Sequence, residues 1–231
     1  MKKTMTLFLV VAMCLMLVAC GAKKNNNKAE GDGWKVTADG VLVISNMEDN
    51  EIPERLNGNP EAPWHPYRMM IKSVKVEEGI THIGEYGFIS CEKAETIELP
   101  DSLLQIGDHA FAHCVSLKEL TIPENVNFVG YEAFLCCEAL EHVVWSPAAM
   151  TVGKRTFSGC SALKTVDLPE GVLHIDELAF ENCSMLTSLT LPDSLRTFEK
   201  DSFQGCTNLV LECSAGTAAE EMAVKHKVPY K

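Results

Sequence analysis

Over roughly residues 73–212 the apolar and polar positions of the chain recur with one period. Phe88, Phe111, Phe134, Phe157, Phe180 and Phe203 stand 23 residues apart, and so do Cys91, Cys114, Cys137, Cys160, Cys183 and Cys206. Counted from each cysteine, position +3 holds Ala94, Leu117, Leu140, Leu163, Leu186 and Leu209. Positions +6 and +8 hold apolar pairs: Ile97/Leu99, Leu120/Ile122, Val143/Trp145, Val166/Leu168 and Leu189/Leu191. Position +15 holds Ile106, Val129, Val152, Ile175 and Phe198. A partial copy (Val74, Val76, Ile80, Ile83, Gly84) precedes the first cysteine. Phe-x-x-Cys pairs held in register through six copies mark an internal repeat, and repeats decide the fold before any single element does.

Each column predicts local structure. The +6/+8 alternation has period two, so both residues face one side of a strand. This predicts seven strands, near 73–76, 96–99, 119–122, 142–145, 165–168, 188–191 and 209–212. Proline at +9 (Pro100, Pro123, Pro169, Pro192) cannot donate to a ladder and suits a strand end. Ser146-Pro147 is the exception to that column. A coil of 23 residues cannot bury its apolar side alone, so it must stack on its neighbours. Stacked strands then form a parallel sheet with about 4.8 Å between coils. Gly107, Gly130 and Gly153 at +16 predict a tight corner or a close backbone approach, with Asp176 and Glu199 taking that position later.

The units resemble the BspA-like leucine-rich repeat, which reads roughly Ile-Gly-x-x-Ala-Phe-x-x-Cys-x-x-Leu-x-x-Ile-x-Leu-Pro. Ile106–Pro123 and Phe157–Pro169 are the closest copies, and the resemblance covers Ser73–Glu212, about 60% of the 231 residues. It implies a right-handed leucine-rich-repeat solenoid with one parallel strand per coil on the concave side and mostly β and irregular coils elsewhere. An open solenoid needs caps. At the N-terminal side, Gly33–Val36 and Gly40–Ser45 predict a hairpin about Ala38-Asp39-Gly40, and Pro63–Tyr67 leads into the first coil. At the C-terminal side, Thr217 with Glu220 three residues later predicts a capped helix.

The start of the chain has a different pattern. Two lysines precede an apolar run over Thr4–Ala19, about 16 residues long and short for a spanning helix of roughly 20. That is the plan of a secretory signal. Leu17-Val18-Ala19-Cys20, with Gly21 after it, resembles the bacterial lipobox. The resemblance implies cleavage before Cys20, lipid on Cys20 and a firm membrane anchor. The stretch that follows is rich in Asn, Lys and Gly and reads as a flexible tether. The expected layout is a signal at 1–19, a lipidated cysteine and tether at 20–32, and an N-terminal cap at 33–72. The solenoid follows at 73–212 and a C-terminal cap at 213–231.

Charge and chemistry narrow the function. The chain carries 32 acidic and 20 basic residues, a net charge of −12. Loss of residues 1–19 removes two lysines and no acid, leaving 18 against 32, or −14. Nucleic acid is therefore not expected as a partner. The repeat cysteines lie one per coil, so they read as buried thiols and not as a metal site. Cys136 sits beside that column and reads as the free thiol nearest the surface. His109 and His113 have a metal-like spacing but no third ligand. No nucleophile elbow, phosphate loop or paired catalytic motif occurs. Neither cofactor nor metal nor catalysis is expected.

The strand positions that point away from the core are +5 and +7. Thr96, Glu98, Glu119, Thr121, His142, Val144, Thr165 and Asp167 are the expected binding face, with the His142–Pro147 coil departing most from the repeat. The expected function is that of an exported, lipid-anchored, monomeric surface protein binding an extracellular protein or glycan. The alternative is an envelope spacer without a specific ligand.

Overall fold

The computed structural model describes residues 27–52 and 62–231. The signal, the lipobox and Cys20 lie outside the described residues. The elements are β1 (Asn27–Gly31), β2 (Trp34–Thr37), β3 (Val41–Ile44), β4 (Glu51–Ile52), β5 (Ser73–Val76) and β6 (His82–Ile83). Then come β7 (Thr96–Glu98), β8 (Gln105–Ile106), β9 (Glu119–Thr121), β10 (Phe128–Val129), β11 (His142–Val144) and β12 (Thr151–Val152). The chain ends with β13 (Thr165–Asp167), β14 (His174–Ile175), β15 (Ser188–Thr190), β16 (Thr197–Phe198), β17 (Val210–Glu212) and α1 (Ala218–His226).

The seven expected strands are β5, β7, β9, β11, β13, β15 and β17. Like positions align in parallel register, as in Val143 beside Leu120 and Val166, and the ladder is interrupted between β7 and β9 and between β13 and β15. Each central residue is buried and its neighbours face outward, which is the period-two pattern made physical. A second parallel stack was not expected. It is built from β4, β6, β8, β10, β12, β14 and β16, two residues each, with the +15 residue buried. This second sheet is split into two parts between β10 and β12.

The third side of each coil is a run of turns, and it too is bonded from coil to coil. Phe88, Phe111, Phe134, Phe157 and Phe180 each donate their backbone N–H to a carbonyl of the following coil, at 2.8–3.0 Å. Residues two before and two after several of these phenylalanines do likewise. Two columns here hold left-handed backbone. One is Ser90, His113, Cys136, Gly159, Asn182 and Gly205; the other is Tyr86, His109, Glu132, Arg155 and Leu178. Gly and Asn suit that geometry; Leu178 and Arg155 adopt it because the bonds on either side hold them there.

The +16 glycines do not share it. Gly107, Gly130 and Gly153 are absent from the positive-φ residues. The first two are close approaches: a Cβ on Gly130 would meet the Asp108 nitrogen at 2.5 Å, and on Gly107 the Glu85 nitrogen at 2.7 Å. On Gly153 the nearest atom would be 3.4 Å away, ordinary contact. The expected close approach therefore holds at two of the three positions, and the third lies at the split in the second sheet.

The core between the sides is a ladder of rings. Phe88, Phe111, Phe134, Phe157, Phe180 and Phe203 stack with centroids 5.2–5.7 Å apart and planes within 18°. Trp64 continues the ladder at 5.6 Å from Phe88, and its indole N–H donates to the Gly87 carbonyl. Trp34 closes the end with its edge on Trp64. Beside the rings run the thiols. Cys114, Cys137, Cys160, Cys183 and Cys206 each donate Sγ–H to the phenylalanine carbonyl of the preceding coil, at 3.0–3.4 Å. All cysteines among the described residues are free. Burial pushes the Cys91 thiol up to about 12 and those of Cys114 and Cys137 well above the ordinary value, so these groups are inert donors.

Both caps form. β2 and β3 make the expected antiparallel hairpin, and β3 then pairs in parallel with β5. The tether expected over 20–32 is shorter than its composition predicts: Asn27–Gly31 is a strand paired antiparallel to β2. Polar side chains do not prevent this, because an edge strand is held by main-chain bonds and faces solvent. In α1 the Thr217 hydroxyl accepts from the Glu220 N–H, while the Glu220 carboxylate accepts from Gly216 N–H. The tail then bonds along β17, with Leu211 N–H donating to the Pro229 carbonyl and Lys231 N–H to the Leu211 carbonyl.

Candidate functional site

The structure presents two solvent-facing sheet surfaces. The first carries the expected residues. Thr96, Glu98, Glu119, Thr121, Thr165 and Asp167 are exposed, while His142 and Val144 are half-buried. Register places Glu119, His142 and Thr165 in one column and Thr121, Val144 and Asp167 in the next. Thr96 and Glu98 lie beside Ser73 and Lys75 on β5.

His142 is engaged rather than free. Its Nδ1 is 2.6 Å from the Thr165 hydroxyl and its Nε2 is 3.5 Å from the Asp167 carboxylate, so both nitrogens rest on the next coil. The departure from the repeat just after it has a packing explanation. Trp145 is buried where other coils place Leu or Ile, and its indole N–H donates to the Ala149 carbonyl. Ser146 is also buried and donates to the Glu124 carbonyl. The large ring and the serine together reshape this corner.

Beside this face a column alternates in sign: Lys72, Glu95, Lys118, Glu141 and Lys164. Lys118 bonds Glu95 at 2.6 Å, and Lys164 bonds Glu141. The Lys118 ammonium holds the Glu95 carboxyl below the usual carboxylate range. At the end of the sheet Glu212 accepts from Lys231, Ser188 and Thr190, which hold its carboxyl at about 2.

The second surface was not foreseen. Glu51, His82, Gln105 and Phe128 face outward in consecutive rungs. They line a groove of about 570 Å³ with Glu85 and Asp108. A second groove, of about 950 Å³, is lined by Tyr131, Lys154, Asp176, Glu177, Glu199, Lys200, Asp201 and Gln204. Burial raises the Asp176 carboxyl, with His174 opposing and Glu199 reinforcing the shift. The signal that would have found this surface is the pair of apolar residues Phe128 and Met150 at +14 and +13, just before the +15 column.

The two histidines with metal-like spacing do not converge. His109 stacks on Tyr86 and contacts Glu132 at 2.9 Å, whereas His113 is exposed on a turn. Among the described residues no group of three or more His, Cys, Asp or Glu is arranged to hold a metal ion. Cys136 is half-buried, with its thiol raised by burial and by nearby acids.

The profile of the BspA type leucine rich repeat region matches six copies over residues 81–210. The chain belongs to that family. Among solved structures, a leucine-rich repeat protein from Bacteroides ovatus is 25% identical, with a TM-score of 0.50; the match covers 77% of this chain and 62% of that one. The chain thus spans less than two thirds of that relative. The leucine-rich repeat protein of T. pallidum is 23% identical over 71% of this chain and 90% of its own, with a TM-score of 0.45. A leucine rich cell surface protein from Faecalibacterium prausnitzii is 15% identical over 84% and 96%, also at 0.45. No curated protein matches the chain.

Proposed function

We propose that this family member is exported, held at a bacterial membrane by lipid on Cys20, and used as a non-catalytic binding surface for an extracellular protein or glycan. The observation that carries the reading is the display on the first sheet. Side chains at +5 and +7 stand in columns fixed by parallel register, and a rigid array of polar groups needs little ordering when a partner docks. The description of the F. prausnitzii relative as a cell surface protein agrees with export. Among the described residues no helix is long and apolar enough to cross a membrane.

Two measurements test the proposal. Cys20→Ala is expected to release the protein from membranes and abolish labelling with a fatty-acid probe; unchanged labelling overturns the anchor. For the surface, the whole chain is titrated against matrix proteins and bacterial surface polymers. Saturable binding that weakens when Glu98, His142, Val144 and Asp167 are changed together supports the first-sheet face. Persistent absence of saturable binding leaves the spacer role.

A further inference from the structure

One groove runs over the outward residues of β4 to β10 and the other along the turns that follow β10, β12, β14 and β16, and each ends on an exposed aromatic ring. Phe128 closes the first and is 49% exposed; Tyr131 opens the second and is 55% exposed. Met150, 56% exposed, lies on the coil that follows. Apolar groups of this size left in water together mark an interaction surface. The charges beside them are mostly negative. The first groove holds the carboxylates of Glu51, Glu85 and Asp108, and among the described residues none lining it is Lys or Arg. In the second, Asp176, Glu199 and Asp201 outnumber the cations, since Lys154 is committed to Glu177 at 2.7 Å.

Resting on the binding role proposed above, we infer that the second sheet and the turns beside it form a separate docking surface for a basic polypeptide segment. Guanidinium or ammonium groups of the segment meet the carboxylates of both grooves, and one lies over the faces of Phe128 and Tyr131. Charge-assisted bonds and cation–π contact use the same cation, so the acids and rings act together. A neutral glycan would stack on the rings but leave Glu85 and Asp108 without an opposite charge, Glu51 having His82 at 3.5 Å. A nucleic acid would be repelled. The two grooves together span seven coils, and six steps of about 4.8 Å place their ends about 29 Å apart, the reach of about nine extended residues.

The test titrates the whole chain with a fluorescent nonapeptide alternating arginine and glycine. The controls are its citrulline counterpart, which keeps the shape and loses the charge, and a neutral hexasaccharide. Saturable binding is expected for the arginine peptide, weakened about tenfold or more by Phe128→Ala with Glu85→Gln and falling with salt. Circular dichroism checks that this variant folds. Equal binding of the citrulline peptide, or binding of the hexasaccharide alone, overturns the inference. If the arginine peptide is lost only on changing Glu98 and Asp167, the first-sheet reading stands and this one falls. If no probe or polymer binds at either face, both fall.

Discussion

The first sheet takes three residues from most coils, and the second takes two. Both are parallel, both bury one residue per rung, and both climb the same stack. The first alternates outward, inward, outward, so its columns are regular and its outward residues are mostly polar. The second has one outward residue per rung, and its series is mixed: His82, Gln105, Phe128, then Thr151, His174 and Thr197. The two are also closed differently. The tail through Tyr230 finishes the first, while α1 packs on β16 and His226 lies 5.6 Å from Phe198 to finish the second. A repeat thus carries one surface set by alternation and another set by single positions, where exceptions are tolerated and specificity can arise.

The largest test removes what both sheets share. Phe134 stacks on Phe111 and Phe157 and is fully buried. Phe134→Ala is expected to cost about 3–5 kcal/mol, read as a lower denaturant midpoint. Both sheets should lose amide protection together; loss in one alone would break the shared-core picture. The next test acts on the second sheet. Gly130→Ala forces a Cβ into the preceding coil and is expected to cost about 1–3 kcal/mol, whereas Gly153→Ala, at the split, should stay within about 0.5 kcal/mol. Equal effects would contradict the difference in packing across the split. Smaller again is Thr217→Ala, which removes the cap of α1 at about 1 kcal/mol. Hydrogen exchange should rise first at Thr197 and Phe198, before the end of the first sheet.

The smallest effect is a pH dependence confined to the end of the first sheet. Glu212 is held at about 2 in the folded chain against an ordinary 4.5. A depressed carboxyl stabilises fully above the unfolded value, and that contribution fades as pH falls from about 4.5 towards 2. Protection of the Lys231 amide, measured against its intrinsic exchange rate, should therefore fall over that window, and Glu212→Gln should flatten the response. An unchanged profile in the variant would show that Glu212 does not hold the tail.

The difference between the sheets also decides what could be read from residues alone. Ile97/Leu99 and its counterparts are alternating pairs, so strand, register and face were all legible. A two-residue strand such as Gln105–Ile106 has no alternation to detect, and only its buried member formed a column. The left-handed columns were hidden for another reason: Ser90, His113, Cys136 and Gly159 share a backbone shape and no chemistry. β1 reads as polar linker because its strand form comes from pairing with β2. For the candidate site, the outward column through Thr96, Glu119 and Thr165 was legible. The grip of Thr165 and Asp167 on His142 was not, since it depends on rotamers of the next coil.

The thiol ladder gives the stack a direction. Every donor reaches back to the coil before it, so a whole 23-residue unit inserted in register would find its acceptor behind and offer one ahead. The turn N–H groups run the other way, donating to the coil ahead, so an inserted unit would be held from both sides. The molecule is in this respect a ruler with interchangeable graduations. Each added unit lengthens either face by about 4.8 Å, roughly one and a half residues of an extended ligand, and leaves the chemistry of the neighbouring units unchanged.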